Sequence, residues 1–134
     1  MLEHLRELAE KRADFSFETT MSGRAYAPWL AVLRAVGYEV NLYYYWLDSP
    51  DLAIRRVAER VKAGGHHVPD ATIRQRYTKS ERNFLDLYRQ HADMWEVYDN
   101  SCGGRNLLAL GQTDVKVEVG DEDLWQLFLR SAGA

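Results

Sequence analysis

Between Val40 and Leu47 the chain reads VNLYYYWL, and this run restricts the fold more than any other stretch. A nearly continuous apolar and aromatic segment of this length marks a strand covered on both faces, as in a parallel sheet. On that reading Tyr43, Tyr44, Tyr45 and Trp46 are core residues. The stretch Phe15-Ser16-Phe17-Glu18-Thr19-Thr20 alternates aromatic and polar side chains and predicts an earlier strand ending at a loop that contains Gly23. Between the two, Pro28 opens a helix whose Trp29, Leu30, Leu33 and Val36 bury one side, and Gly37 stops it. Strand, helix and strand in that order demand a crossover between parallel neighbours, so the fold class is α/β, with Phe15 to Thr20 and Val40 to Leu47 in one parallel sheet.

The flanking segments fit that class. Leu2, Leu5, Leu8 and Ala9 share one face of an amphipathic helix over Leu2 to Arg12. Ser49 caps a helix with Pro50 at its first position and Asp51 beside its positive end, running to about Ala63 and stopping on Gly64-Gly65. Pro69-Asp70 begins a further helix to Gln90, with Ile73, Tyr77, Phe84, Leu85 and Tyr88 facing inward. Trp95 to Tyr98 forms the next strand, and the turn-forming Asp99 to Gly104 follows. Leu107 to Leu110 and Val115 to Val119 make a C-terminal β-hairpin, and Asp121 caps a last short helix. No repeat or linker divides the chain, and residues 1–134 read as a single domain.

Charge is unevenly spread. Nine of the seventeen Lys and Arg residues but only four of the twenty acids lie from Arg55 to Arg89, leaving that segment near +5 and the remainder near −8. A cationic hinge of this kind suits a phosphate-bearing anion, because guanidinium forks bind phosphate oxygens bidentately. The pI near 5.8 and the lack of a basic tail make nucleic acid an improbable partner. The single cysteine, Cys102, excludes an internal disulfide and suits a reducing compartment, so the protein reads as cytoplasmic. The longest apolar run, Leu42 to Leu47, is too short to span a bilayer. His66 and His67 are adjacent on a glycine loop without a third ligand at useful spacing, so no metal site is assigned.

Several of these pieces occur together in one order. They are Phe17-Glu18-Thr19-Thr20 with Ser22-Gly23-Arg24, Tyr45-Trp46-Leu47 with Ser49-Pro50-Asp51-Leu52-Ala53, and Arg60-Val61 with Gly64-Gly65-His66 and Val68-Pro69. Ile73-Arg74 with Arg76-Tyr77 and then Tyr98-Asp99-Asn100-Ser101 complete the series. In this arrangement the chain resembles the C-terminal two thirds of the zeta-toxin-like P-loop kinases. The resemblance implies an incomplete P-loop-kinase-like sheet of parallel strands flanked by helices, with ATP and Mg²⁺ as the family's cofactors and a UDP-activated amino sugar as its kind of acceptor. It maps acceptor contacts onto Glu18 and Thr20, with Arg24 beside them. It maps the phosphate-reaching arginines of a lid-like hairpin onto Arg60, Arg74 and Arg76, with His66 in the same loop, and an adenine contact onto Asn100. The partners it implies are a nucleotide or other phosphate anion, a UDP-sugar and an antitoxin-like protein.

One part of the family pattern is missing from these residues. No GxxxxGK[ST] sequence occurs, and Gly103-Gly104-Arg105 lacks both the spacing and the following helix that would present backbone amides to phosphate. Phosphoryl transfer is mostly positioning and charge stabilisation, so the chain alone is expected to be inactive as a phosphotransferase. A non-catalytic interaction module and a complete kinase whose true start lies upstream of Met1 are the alternative readings. Self-association as a homodimer is expected from the apolar flanks of Phe15, Phe17 and the Val40 to Leu47 run.

Overall fold

The computed structural model describes residues 2–112 and 115–133. Its helices are α1 (Leu2–Glu10), α2 (Tyr26–Ala35), α3 (Pro50–Lys62), α4 (Asp70–Asn83) and α5 (Glu122–Ser131), and its strands are β1 (Asn41–Trp46), β2 (Met94–Asp99), β3 (Asn106–Gln112) and β4 (Glu118–Val119). The fold is α/β, with the strands in the order β1-β2-β3-β4. β1 and β2 are parallel, joined by the α3–α4 crossover, whereas β2, β3 and β4 run antiparallel. The predicted C-terminal hairpin and helix are present, although Thr113 and Asp114 of that hairpin lie outside the described residues.

Local chemistry accounts for the element ends. The Ser49 hydroxyl accepts from the Leu52 amide at 3.2 Å, and the Asp121 carboxylate accepts from the Leu124 amide at 3.1 Å, so both predicted N-caps form. At the end of α3, Gly64 has φ of 98°, and the amides of Gly64 and Gly65 donate to the carbonyls of Val61 and Arg60. This paired closure needs a glycine in the left-handed region. Gly65 is equally constrained, because a Cβ there would lie 2.9 Å from the Arg60 carbonyl oxygen. Helix α4 does not stop at Asn83 but continues through a π turn, Phe84–Tyr88, and a 3-10 turn, Arg89–His91.

The core lies on one face of the sheet. Trp46, Val97 and Leu108 point to that face and are fully buried against Phe84 and Tyr88 from the α4 extension and Phe128 from α5. Trp95 stacks on Trp125 with ring centroids 6.0 Å apart. Ring pairs at such separations contribute about 0.5–1.5 kcal/mol beyond the area that they bury.

The structure corrects four sequence expectations. Phe15 to Thr20 has no regular secondary structure and joins no sheet, and therefore forms no parallel sheet with β1. Its alternation has a different use: Phe15 stacks on Trp29 and meets Tyr38 edge-on, while Phe17 packs against Tyr26 and Trp29. The period-two pattern thus seats the segment on the aromatic side of α2, where no backbone ladder is needed. Next, β1 is covered on only one face. Tyr44 and Trp46 pack inward, but Tyr43 and Tyr45 are each 46% exposed and are not core residues. The parallel content is also smaller than expected, since β1 and β2 are the one parallel pair among the described strands. In addition, Val36 caps the end of α2 and is 61% exposed, while Ala27, Leu30 and Leu33 are the buried residues of that helix.

Candidate functional site

The segment carrying Glu18 and Thr20 lacks strand partners, so side chains of α4 and its extension hold it in place. The Ser80 hydroxyl donates to the Thr20 carbonyl at 2.5 Å, the Asn83 amide donates to the Met21 carbonyl at 2.7 Å, and the Tyr88 hydroxyl donates to the Gly23 carbonyl at 2.7 Å. Met21 is buried and sits at φ of 57°, a left-handed conformation that side chains other than glycine seldom adopt. Three anchored carbonyls in four residues hold the chain in that conformation. The Thr20 hydroxyl is 2.8 Å from that of Ser22.

The basic hairpin stands opposite this loop. α3 and α4 pack together, and α3 closes at Gly64-Gly65 with the Gly65 amide donating to the Arg60 carbonyl at 2.7 Å. A cavity of about 390 Å³ is lined by Thr19 and Thr20, by Tyr43, Tyr44 and Tyr45 of β1, and by Arg60, Arg76, Tyr77 and Ser80. It adjoins a groove of about 1110 Å³ that separates Phe15 to Thr19 from β1 and also takes in Glu18, Arg60, Asn100 and Arg105. Thr19, Met21, Tyr43, Tyr45 and Arg60 line both spaces and mark their junction. Neither Arg60 nor Arg76 has an ion-pair or side-chain hydrogen-bond partner among the described residues.

The predicted site residues therefore divide. Arg60, Arg76 and Thr20 come together at the smaller cavity, and Glu18 and Asn100 line the adjoining groove. Arg74 instead pairs with Asp51 at 2.6 Å, tying α4 to the start of α3. Arg24 and His66 line neither space. Asn100 is fixed through its backbone, whose amide donates to the Trp46 carbonyl at 2.8 Å. Beside it the Ser101 hydroxyl meets the Asp99 carboxylate at 2.5 Å, and the Ser101 carbonyl accepts from Arg56 of α3.

Sequence reasoning missed two features around the cleft. Glu81 is fully buried on α4, where its carboxylate accepts from the Trp46 indole at 2.7 Å and the Ser131 hydroxyl at 2.8 Å. Burial raises its pKa, and the hydrogen bonds from Trp46 and Ser131 oppose that shift. Tyr77, which donates to the Leu47 carbonyl at 2.6 Å, has its own pKa raised by burial and then by Glu81. The spacing could have disclosed Glu81, because it falls four residues after Tyr77 and three before Phe84 on the inward stripe. Arg105 is the other case: its guanidinium lies 4.7 Å from the centroid of the Tyr45 ring. Tyr45 itself lies beside Tyr98, whose phenol donates to Glu96 and has its pKa pushed up to about 12 by that bond. Cross-strand geometry brings these groups together, and no local motif announces it.

The family model described as Zeta toxin matches residues 1–106. An uncharacterized protein of Haemophilus influenzae is 29% identical over 63 residues, which are 47% of this chain and 45% of that protein. The chain thus matches less than half the length of that relative. No solved structure matches it. Among the described residues no helix is long and apolar enough to cross a membrane.

Proposed function

The chain belongs to the zeta toxin family, and from that premise we propose that the cleft between the α3–α4 hairpin and β1 binds the phosphates of a nucleotide. One observation carries this reading. Arg60 and Arg76, on different helices, line one cavity without an acidic partner among the described residues. Two guanidinium groups held together in a partly enclosed space repel each other unless an anion neutralises them, and phosphate oxygens match their planar donor geometry. Thr20 and Glu18, on the anchored loop across the cleft, face an acceptor that is expected to be a UDP-sugar. Arg74, His66 and Arg24 stand outside it and are peripheral to binding in this arrangement.

The group fits the residues only in part. The cavity suits ATP phosphates, but among the described residues no three His, Cys, Asp or Glu side chains gather as a metal site. Mg²⁺ would then be held chiefly by the nucleotide's own phosphate oxygens. Binding, and not turnover by this chain alone, is the activity proposed. Without the amide cradle and lysine of a Walker A loop, the two arginines supply charge but do not align the γ-phosphate for transfer. Native-state binding raises the melting temperature, so millimolar ATP or sulfate should stabilise the protein, and Arg60→Ala with Arg76→Ala should abolish the effect. An unchanged melting temperature, or the same rise with sodium chloride at equal ionic strength, would discard phosphate binding.

A second reading, a non-catalytic module that associates with a copy of itself, is favoured by a separate observation. β1 stands at the sheet edge, and Tyr43 and Tyr45 are exposed beside it. Unpaired strand edges next to apolar surface promote association. Light scattering that gives a monomer mass at every concentration would eliminate it.

A further inference from the structure

The exposed tyrosine face of β1 is unexplained by phosphate binding. Tyr43 and Tyr45 are each 46% exposed on the face of the sheet opposite the core. Their surroundings differ. Tyr45 is already engaged, with Tyr98 5.7 Å away across the strand pair and Arg105 over its ring. The Tyr43 side chain has no stacked ring, cation or hydrogen-bond partner among the described residues, and it sits where the two spaces of the cleft join, a junction that Arg60 also lines. An aromatic ring left open at the junction of a cationic pocket and a larger groove is the arrangement that receives a planar group attached to phosphate.

We propose that Tyr43 is a stacking platform for the base of a nucleoside phosphate, with Arg105 and Tyr45 flanking that base and the phosphates directed toward Arg60 and Arg76. The inference rests on the phosphate reading above and adds the residue that receives the base. Charge complementarity selects this occupant over an apolar one. The groove around Tyr43 holds Arg60 and Arg105, and cations of this kind pair with both phosphate and the electron-rich faces of bases. Stacking of this type tolerates any base, so the platform distinguishes nucleotides from bare phosphates and does not distinguish adenine from uracil.

Isothermal titration with ATP, UDP and inorganic tripolyphosphate tests the assignment. In the wild type both nucleotides should bind more tightly than tripolyphosphate. Tyr43→Ala and Tyr43→Leu should each weaken ATP and UDP about tenfold, the loss of one base–aromatic stack, and leave tripolyphosphate unchanged. Tyr43→Phe should retain nucleotide affinity, since the ring and not the hydroxyl provides the surface. Tripolyphosphate that binds the wild type as tightly as ATP overturns the platform alone. Tripolyphosphate that does not bind, or that is insensitive to Arg60→Ala, overturns the phosphate reading and the platform with it. If Tyr43→Ala leaves nucleotide affinity intact but abolishes self-association, the face is a protein contact and the base assignment falls.

Discussion

At the scale of single residues, Glu81 shows how a buried charge can organise a site without lining it. Its carboxylate joins β1 through Trp46 and α5 through Ser131, and it sits on the helix that supplies Arg76 and Tyr77. Replacing it by alanine would leave the buried Trp46 indole without an acceptor, at about 1–3 kcal/mol, whereas the Ser131 hydroxyl belongs to an exposed residue and can turn to water. Glu81→Gln, which keeps an acceptor oxygen, should lose less. The two variants should also differ from the wild type in pH dependence. Burial raises the folded-state pKa of Glu81 above its unfolded value, so the folded protein holds this proton more tightly. The wild type is therefore destabilised by this group above the raised pKa, and gains stability as pH falls from there to the ordinary carboxylate range. Urea unfolding across that window should show the gain in the wild type and not in Glu81→Gln. A difference between the two proteins that does not change with pH would mean that Glu81 does not titrate differently in the folded state.

At the scale of elements, the α3–α4 hairpin leaves two of its three candidate arginines without a side-chain partner among the described residues and one paired. The Arg74–Asp51 pair is 2.6 Å long, but its side chains are 53% and 70% exposed. A pair so open to solvent contributes at most about 1 kcal/mol. Asp51→Ala should accordingly lower the melting temperature little, while removing an acid and leaving the Arg74 charge unpaired on the hairpin should tighten sulfate or ATP binding roughly two- to threefold, a gain that added salt screens. Titration at low and high ionic strength measures both effects. Weaker anion binding in Asp51→Ala would instead show that the pair sets the angle of the hairpin. The hairpin was also the most legible element of the sequence: the Ser49 cap, Pro50 and Gly64-Gly65 each act within a few residues of their own position. Alternation over Phe15 to Thr20 reports only that one side is covered, and the aromatic side of α2 covers Phe15 and Phe17 in part without any strand partner.

At the scale of the whole molecule, the core depends on residues beyond the stretch that the family model matches. Leu108 and Ala109 of β3 and Trp125, Phe128 and Ala132 of α5 and its end are buried in the one cluster, whereas the family match ends at residue 106. Phe128 alone touches Tyr44, Trp46, Phe84 and Trp125. A chain cut after Asn106 should thus lose its cooperative melting transition and bind a hydrophobic dye, as expected of a compact state without fixed packing. A sharp transition retained by the truncated chain would show that β1, β2 and the helices close a core by themselves. The sequence by itself determined the α/β class, the helix caps, the crossover hairpin, the C-terminal hairpin and helix, and the family, because each is encoded by local chemistry or by motifs of fixed spacing. Only the tertiary structure decided which arginines share a cavity, that Glu81 is buried, and that Tyr43 and Tyr45 remain open. Those outcomes depend on which face of β1 its neighbours cover and on contacts between residues far apart in the chain, and no periodicity within one segment carries that information.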